Sequence, residues 1–308
     1  MITVGGFNTS VDKSMSTEDL APGAVNRVRE VRASPGGKGL HVALAVAALG
    51  EPVCLVGLID AAHRRLFADE LAARGVHFDG VESAGGVRTC LAIHDRDGRV
   101  TEILEPGPET DAATRETLRA RFLARASRSP VAVLSGSAPR GFADSLYGEL
   151  VESLAASSTQ VLVDASGGLL ASAVPARPLL IKPNRDEAEA LSGSAIEGPA
   201  AAVKVARALL GRGPSMVILS LGDAGAVAVT ASQAAHALVR VDRVVNAVGS
   251  GDCLLGGVAV ARARGATFEE TLRLGVACGA ANAIGRETGR LEKADVDRLL
   301  PQVELTPL

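Results

Sequence analysis

Short runs of apolar residues alternate along most of this chain with longer segments of helical periodicity. The apolar runs predict buried strands at residues 2–7, 53–58, 76–78, 131–134, 161–164, 179–181 and 216–221. The periodic segments predict helices at residues 40–49, 61–74, 114–128, 144–156, 200–210, 268–284 and 295–300. Because buried strands that alternate with helices form a mostly parallel sheet covered on both faces, we expect a three-layer α/β/α fold.

Residues 11–34 and 87–105 do not follow this alternation. Residues 87–94 and 100–104 predict a hairpin, because the segment between them is polar and contains glycine. We expect these regions to form a small separate sheet, a lid that keeps water away from the ligand edge of the main sheet. No linker, repeat or low-complexity segment divides the chain, so a single domain over residues 1–308 is expected.

Polar and glycine-rich loops follow the predicted strands. They begin at Asn8, Gly57, Ser135, Asp164, Asn184 and Gly222. Since the carboxyl ends of parallel strands meet at one edge of a sheet, these loops predict a ligand site at that edge.

One glycine motif stands at the start of a predicted buried helix. Gly249, Ser250 and Gly251 precede Asp252, and a long apolar run follows. The N–H groups of a helix N-terminus attract phosphate, and a carboxylate there can accept a proton from an attacking hydroxyl. The motif predicts an anion site beside a general base, with an ordinary helix cap after a turn as the alternative.

A second glycine motif, Ser-Pro-Gly-Gly-Lys-Gly at residues 34–39, opens the predicted helix 40–49. It predicts another site for an anion or hydroxyl, with Lys38 able to neutralise a phosphate. Asp12, after the first strand, is a candidate for binding hydroxyls, and Arg88 in the hairpin for binding an anion. The alternatives are a plain helix-entry loop, a solvated carboxylate and an exposed strand arginine.

Two better-known phosphate motifs are absent. No segment matches G-x-x-x-x-G-K-S/T, and Lys38 is followed by Gly39. The dinucleotide pattern G-x-G-x-x-G fails because Leu254 occupies the third glycine position. A nicotinamide oxidoreductase is therefore a distant alternative.

Composition narrows the choice of partners. The 308 residues carry a formal net charge of −3 and only 2% aromatic residues, which argues against nucleic acid as a main partner. Four scattered cysteines without metal-ligand spacing are expected to be reduced core residues of a cytoplasmic protein. The N-terminus lacks the features of a signal peptide, and no apolar run is long enough to predict a membrane span.

Together these motifs resemble the ribokinase-like sugar kinases, also called the phosphofructokinase-B family. Residues 34–39 resemble its N-terminal signature and residues 246–257 its C-terminal signature. The similarity extends over residues 1 to 300. Residues 8–12, 22–27, 88–108 and 135–139 further resemble the branch of 1-phosphofructokinase and tagatose-6-phosphate kinase.

The resemblance implies a kinase that uses ATP and Mg²⁺, and it implies a role for each matching residue. Asp252 is expected to be the general base, with Gly249, Ser250 and Gly251 around the transferred phosphoryl group. The residues expected to bind the sugar phosphate are Asp12, Gly36, Gly37, Lys38, His41 and Arg88. Those expected around the nucleotide are Asn184, Glu187, Ser220, Gly222, Gly225 and Asn282, with Asn184 and Glu187 also expected to hold magnesium through water. From the residues alone, Asn184 and Glu187 predict a capping box at a helix start.

The chain departs from the family pattern at His41, where the family usually has an asparagine that contacts a sugar hydroxyl. The imidazole either turns away from the site or alters the acceptor. The expected reaction is transfer of the γ-phosphoryl group to a primary hydroxyl of a ketohexose phosphate. Two alternatives stay open: a kinase of an unphosphorylated sugar or other small alcohol, and a sugar-binding regulator without catalysis. Lids of the fold that the chain resembles can pair into a homodimer, although the sequence shows no decisive hydrophobic patch.

Overall fold

The computed structural model describes all residues, Met1–Leu308, as fourteen strands and ten α-helices. The strands are β1 (Ile2–Gly5), β2 (Ser10–Ser16), β3 (Glu30–Gly36), β4 (Val53–Ile59), β5 (Val76–Glu82), β6 (Arg88–His94), β7 (Val100–Leu104), β8 (Val131–Ser135), β9 (Gln160–Asp164), β10 (Leu180–Ile181), β11 (Met216–Ser220), β12 (Ala226–Thr230), β13 (Ala234–Leu238) and β14 (Glu304–Pro307). The helices are α1 (Lys38–Ala48), α2 (Arg64–Ala72), α3 (Ala112–Ala126), α4 (Leu146–Leu154), α5 (Gly167–Ala173), α6 (Arg185–Ser192), α7 (Gly198–Leu210), α8 (Ser250–Ala263), α9 (Phe268–Ile284) and α10 (Lys293–Leu299).

Ten strands form the central sheet, in the order β14-β13-β12-β11-β10-β9-β8-β1-β4-β5. The pairs from β11 to β5 are parallel, and the three pairs from β11 to β14 are antiparallel. Successive residues of β8 point to opposite faces: Val131 and Val133 join one apolar cluster, Ala132 and Leu134 the other. Because both faces are covered, the predicted three-layer α/β/α class is confirmed.

The predicted lid is a separate four-stranded sheet, in the order β3-β2-β6-β7. Strands β6 and β7 form the predicted antiparallel hairpin. Strand β2 pairs in parallel with β6, which lies more than seventy residues further along the chain, from Ser10↔Arg88 to Ser16↔His94. Every residue of β7 is exposed.

Several predicted elements are confirmed and others were missed. Helix α9 has the predicted bounds. The predicted strand 76–78 extends to Glu82, because it pairs with β4 along its whole length. Helix α5 was missed because it begins with two glycines, and the burial of Leu169, Leu170 and Ala173 stabilises it instead. Strand β14 was missed because only its pairing with β13 makes it a strand.

The carboxyl ends of the parallel strands point to one side of the sheet, toward the lid. There the chain continues from β1 into Asn8, from β9 into a loop after Asp164, and from β10 into Lys182. Helix α1 enters beside this edge from Gly37, and α8 enters from Gly249. None of the helices is long and apolar enough to cross a membrane.

Candidate active site

A cleft of about 1960 Å³ lies between the sheet edge and the lid. A site for one drug-sized ligand usually has a volume of about 300–1,000 Å³, so this cleft has room for two ligands. The residues predicted for the site that line the cleft are Asp12, Gly37, Lys38, His41, Arg88, Asn184, Glu187, Ser220, Gly222, Gly225, Gly249, Ser250, Gly251 and Asp252. The structure therefore brings the two glycine motifs to one cavity.

Helix α8 begins at this cleft without a side-chain cap. Its N-cap residue is Gly249, in the left-handed conformation with φ 84°. A side chain at this position would be strained, and its Cβ would lie 2.4 Å from the backbone nitrogen of Gly289. The N–H groups of the first helical turn, at Gly251 and Asp252, therefore have no partner within the helix. They are available for an anion.

Asp252, in this first turn, is buried with 5% of its surface exposed. Its Oδ2 lies 2.9 Å from Nδ1 of His41, on helix α1. Because an ionised carboxylate can only accept, Nδ1 is assigned as the donor. His41 has not turned away from the site, which answers the question left open by its departure from the family pattern.

Asp12 lies on the lid side of the cleft, on β2. Its Oδ1 accepts a hydrogen bond from Ser10 Oγ at 2.6 Å, and its Oδ2 lies 4.0 Å from Nε2 of His41. A Cβ at Gly36 would lie 2.0 Å from the Asp12 carboxyl carbon. Gly36 is thus required for the placement of Asp12, but it does not itself line the cleft.

Lys38 reaches the cleft from the first residue of α1. The charge of Asp164, followed by the charges of Asp252 and Glu187, raises the pKa of Lys38 above its ordinary value against the lowering effect of desolvation. These carboxylates therefore favour the charged ammonium form of Lys38.

Arg88 is half-buried at the start of β6. Its Nε donates to the carbonyl of Asn8 and its NH1 to the carbonyl of Glu105. These two bonds fix the guanidinium at the cleft wall, and its other N–H groups are available for an anion.

Asn184 and Glu187 form the capping box of α6, as the residues alone predicted. Asn184 Oδ1 accepts from the backbone N–H of Glu187 at 2.8 Å, and Glu187 Oε2 accepts from that of Asn184 at 2.9 Å. Desolvation, with a smaller contribution from Asp164, raises the pKa of Glu187. Both residues still line the cleft, next to Ser220, which pairs with Asn184 in an isolated bridge.

Asn282, like Gly36, is placed differently from expectation. It is fully buried in α9 and does not line the cleft. Its Nδ2 donates to the carbonyl of Val248 at 2.9 Å and to Ser250 Oγ at 3.0 Å, and its Oδ1 accepts from the backbone N–H of Arg290 at 2.9 Å. Both polar atoms of the Asn282 amide form hydrogen bonds with other groups of the protein. Asn282 therefore supports the loop before α8 from inside the protein.

Sequence reasoning missed a buried ion pair in the same cleft. Lys182 Nζ lies 3.0 Å from Asp164 Oδ2, and the two side chains are only 4% and 2% exposed. Lys182 Nζ would lie 3.4 Å from a Cβ at Gly251, so the ammonium group is next to the start of α8. The available signal was the position of both residues at the ends of neighbouring strands β9 and β10.

The covering loop, residues 285–292 between α9 and α10, was also missed. A Cβ at Gly289 would lie 2.1 Å from Cγ of His41, and the backbone of Gly289 also packs against Gly249. The loop thus covers the imidazole and the N-cap of α8 together. No pattern in the sequence indicated this contact.

Comparison with known proteins connects this geometry to a family. Residues 3–293 match the family model described as pfkB family carbohydrate kinase. The chain is 33% identical over 306 residues to 1-phosphofructokinase of Xanthomonas campestris, covering 96% of this chain and 92% of that protein. It is 30% identical over 308 residues to tagatose-6-phosphate kinase of Staphylococcus epidermidis, covering 99% of both.

Solved structures agree with the sequence comparisons. The structure of phosphofructokinase-2 from Escherichia coli in complex with potassium superposes with a TM-score of 0.92 at 26% identity. The match covers 97% of this chain and 98% of that one. With the family model matching nearly the whole chain, this protein belongs to the pfkB family of carbohydrate kinases, which are phosphotransferases with an alcohol group as acceptor.

Proposed function

We propose that this protein transfers the γ-phosphoryl group of ATP to a primary hydroxyl of a ketohexose phosphate of the fructose 1-phosphate or tagatose 6-phosphate type. One observation carries the proposal: the Asp252 carboxylate and the uncapped start of α8 share a cleft with Asp12 and Arg88. We treat residues 1–308 as one kinase domain, because the central sheet takes strands from both ends of the chain.

In the proposed mechanism, Asp252 accepts the proton of the acceptor hydroxyl as its oxygen attacks the γ-phosphorus. The N–H groups of Gly251 and Asp252 then stabilise the charge on the transferred group, at the positive end of the α8 dipole. Lys38 and Lys182 add positive charge at the same place. The bond from phosphorus to the ADP oxygen breaks in line with the attack, and no covalent enzyme intermediate forms.

The nucleotide is proposed to lie between α6 and α8, near Ser220, Gly222 and Gly225. Val276 and Ala280 also line the cleft and supply an apolar wall for the nucleobase of ATP. No three carboxylate, histidine or cysteine side chains converge as a metal site. The amide and carboxylate oxygens of Asn184 and Glu187 fit Mg²⁺ held through its own waters, and the bound ion would neutralise phosphate charge.

The acceptor is proposed to lie between Asp12, His41 and the lid. Asp12 suits sugar hydroxyls because it can only accept hydrogen bonds, and Arg88 suits the phosphate already on the sugar. Two relatives are named for their action on such substrates, 1-phosphofructokinase and tagatose-6-phosphate kinase. The predicted contact of Lys38 with the sugar phosphate stays a prediction.

The acceptor is tested by measuring ATP consumption with fructose 1-phosphate, tagatose 6-phosphate, fructose 6-phosphate, fructose and ribose. We expect a phosphorylated ketohexose to give the highest kcat/KM. In the Arg88→Ala variant, KM for that sugar phosphate should rise at least about tenfold, since a charge-assisted contact is lost.

Each alternative function has its own outcome in this panel. Preference for an unphosphorylated sugar, with no effect of Arg88→Ala, would favour the second kinase hypothesis. Binding of a sugar without any ATP consumption would favour the regulator.

We also infer a homodimer through the lid. The exposed apolar side chains of this sheet are Val31, Val100, Ile103 and Leu104, with 47–59% of their surface exposed. They lie on the two edge strands of the lid, β3 and β7, and exposed apolar side chains on the edges of a small sheet are suited to an interface between copies. A molar mass in solution equal to that of one chain, measured by light scattering, would refute this inference.

A further inference from the structure

The imidazole of His41 lies between the two carboxylates of the proposed acceptor site. Nδ1 is 2.9 Å from Oδ2 of Asp252, and Nε2 is 4.0 Å from Oδ2 of Asp12. The ring is 11% exposed and is covered by Gly289. Because the backbone of Gly289 packs directly on the ring, His41 cannot swing out of this position without displacing the loop.

The bond from His41 decides which oxygen of Asp252 is free. Oδ2 accepts the hydrogen bond from Nδ1, and no other group of the protein donates to this carboxylate. Oδ1 is therefore the oxygen that takes the proton of the acceptor hydroxyl. His41 thus fixes the orientation of the Asp252 carboxylate, although the two residues are 211 positions apart in the sequence.

The second carboxylate is held in a similar way. Ser10 Oγ donates to Oδ1 of Asp12, which leaves Oδ2 facing Nε2 of His41. A separation of 4.0 Å is too long for a direct hydrogen bond. A hydroxyl oxygen placed beside this gap lies within hydrogen-bond distance of both atoms. The geometry thus provides a place for one hydroxyl of the acceptor.

The protons of this arrangement have to be counted. The hydroxyl beside this gap, which is not the attacking hydroxyl, has one proton, and it donates this proton in a hydrogen bond to Asp12, because an ionised carboxylate can only accept. The hydroxyl must then accept a hydrogen bond from Nε2, so Nε2 needs a proton of its own. Since Nδ1 already donates to Asp252, the ring carries protons on both nitrogens when the acceptor is bound.

We propose that His41, in its doubly protonated form, positions Asp252 through Nδ1 and binds one acceptor hydroxyl through Nε2. This inference rests on the proposed function. The carboxylates facing the ring are Asp12 from β2 and Asp252 from α8. Lys38 lines the same cleft from α1, and Glu287 and Arg290 flank Gly289 in the covering loop. Binding of the sugar phosphate is therefore linked to protonation in the pH range where histidine titrates.

Two amide substitutions separate the two contacts. His41→Asn places an N–H donor near the position of Nδ1, so the bond to Asp252 is kept and the bond to the acceptor is lost. His41→Gln places its donor near the position of Nε2, so the bond to the acceptor is kept and Asp252 is released. Neither amide titrates between pH 6 and 8.

The two variants are expected to affect different kinetic parameters: His41→Asn mainly KM, and His41→Gln mainly kcat. At pH 6, His41→Asn should raise KM for the sugar phosphate about tenfold while kcat stays near wild type. His41→Gln should lower kcat about tenfold with a smaller change in KM. From pH 6 to pH 8, KM of the wild type should rise relative to that of His41→Asn. Because both enzymes use the same sugar phosphate, titration of the substrate cancels in this ratio.

His77→Asn is the matched control, since His77 is exposed on β5 and outside the cleft. It should leave both parameters unchanged at every pH. Thermal unfolding checks that each variant is folded, and calorimetry in buffers of different ionisation heat measures proton uptake by the wild type directly. At pH 8, where the sugar phosphate is already ionised, about one proton should be taken up on binding.

A ratio of wild-type KM to His41→Asn KM that stays constant from pH 6 to 8 would overturn the inference. The same loss of kcat in both amide variants would also overturn it. No proton uptake by the wild type would do so as well, even if neither variant folded. A wild-type protein that consumes no ATP with any sugar fails earlier and refutes the kinase function itself.

Discussion

Two helices begin at the same cleft, and each has an acidic residue three positions after its N-cap. Helix α6 starts with Asn184 as N-cap and carries Glu187, while α8 starts with Gly249 as N-cap and carries Asp252. At α6 the two side chains satisfy the free backbone N–H groups in a capping box. At α8 the glycine has no side chain to offer, so the N–H groups stay open.

The difference lies in what each helix start can do. The side chains of α6 stabilise their own helix, and Glu187 has one oxygen left for other partners. At α8 the free N–H groups and the carboxylate of Asp252 all face the cleft, where an anion can lie. A helix start built with glycine gives up part of its stability and gains a binding site, whereas the capped start keeps its stability.

The largest expected effect comes from removing the charge of Asp252. In Asp252→Asn the amide oxygen can still accept from His41, so the fold should be kept. We expect kcat to fall at least about 100-fold, because an amide cannot act as a general base. Affinity for ATP should change little. The measurement is steady-state kinetics with the best substrate of the sugar panel.

Glu187→Gln is the matched control, because it makes the same change of acid to amide at the same helical position. Its effect on kcat should be much smaller. Near-normal turnover of Asp252→Asn would remove Asp252 from the role of base and end the proposed difference between the two helices.

A smaller effect is expected when the cap of α6 is removed. Asn184→Ala should cost about 1 kcal/mol of stability, because the backbone N–H of Glu187 loses its partner. Asn184→Ser retains a cap oxygen and should restore most of that loss. If Asn184 also holds a magnesium water, Asn184→Ser should still raise KM for Mg-ATP. The measurements are denaturant unfolding and KM for Mg-ATP.

A normal KM for Mg-ATP in the serine variant would limit Asn184 to capping. Equal stability of the alanine and wild-type proteins would show instead that the capping box contributes little to this helix.

The comparison also shows what the sequence can reveal. The open and the capped helix starts were both predictable, because each depends on neighbouring residues: glycine before Asp252, and asparagine three positions before Glu187. The parallel sheet and helix α9 were predictable from the spacing of apolar residues along single segments.

Contacts between distant segments were not predictable. The bond of His41 to Asp252 depends on how α1 and α8 pack, and the Lys182–Asp164 pair depends on the register of β9 and β10. Asn282 illustrates the same limit. The family resemblance implied a contact of Asn282 with the nucleotide, but the structure uses its whole amide to support the loop before α8.

The smallest expected effect concerns the pH dependence of stability at α6. Burial, with a smaller contribution from Asp164, raises the pKa of Glu187 in the folded protein. A carboxyl group of this kind stabilises the fold below its unfolded pKa, and the contribution is lost as pH rises through the folded pKa. A glutamine keeps the capping box and has no such loss. The Tm of Glu187→Gln relative to wild type should therefore be higher at pH 7 than at pH 4.

Magnesium provides the second half of this test. If Mg²⁺ and its waters lie beside Glu187, adding Mg-ATP at pH 7 favours the charged carboxylate and should raise the Tm of the wild type more than that of Glu187→Gln. Equal increases in Tm would leave Glu187 as a capping residue only. The two helix starts would then divide their roles completely, since α6 would act in stability alone and the chemistry would belong to α8.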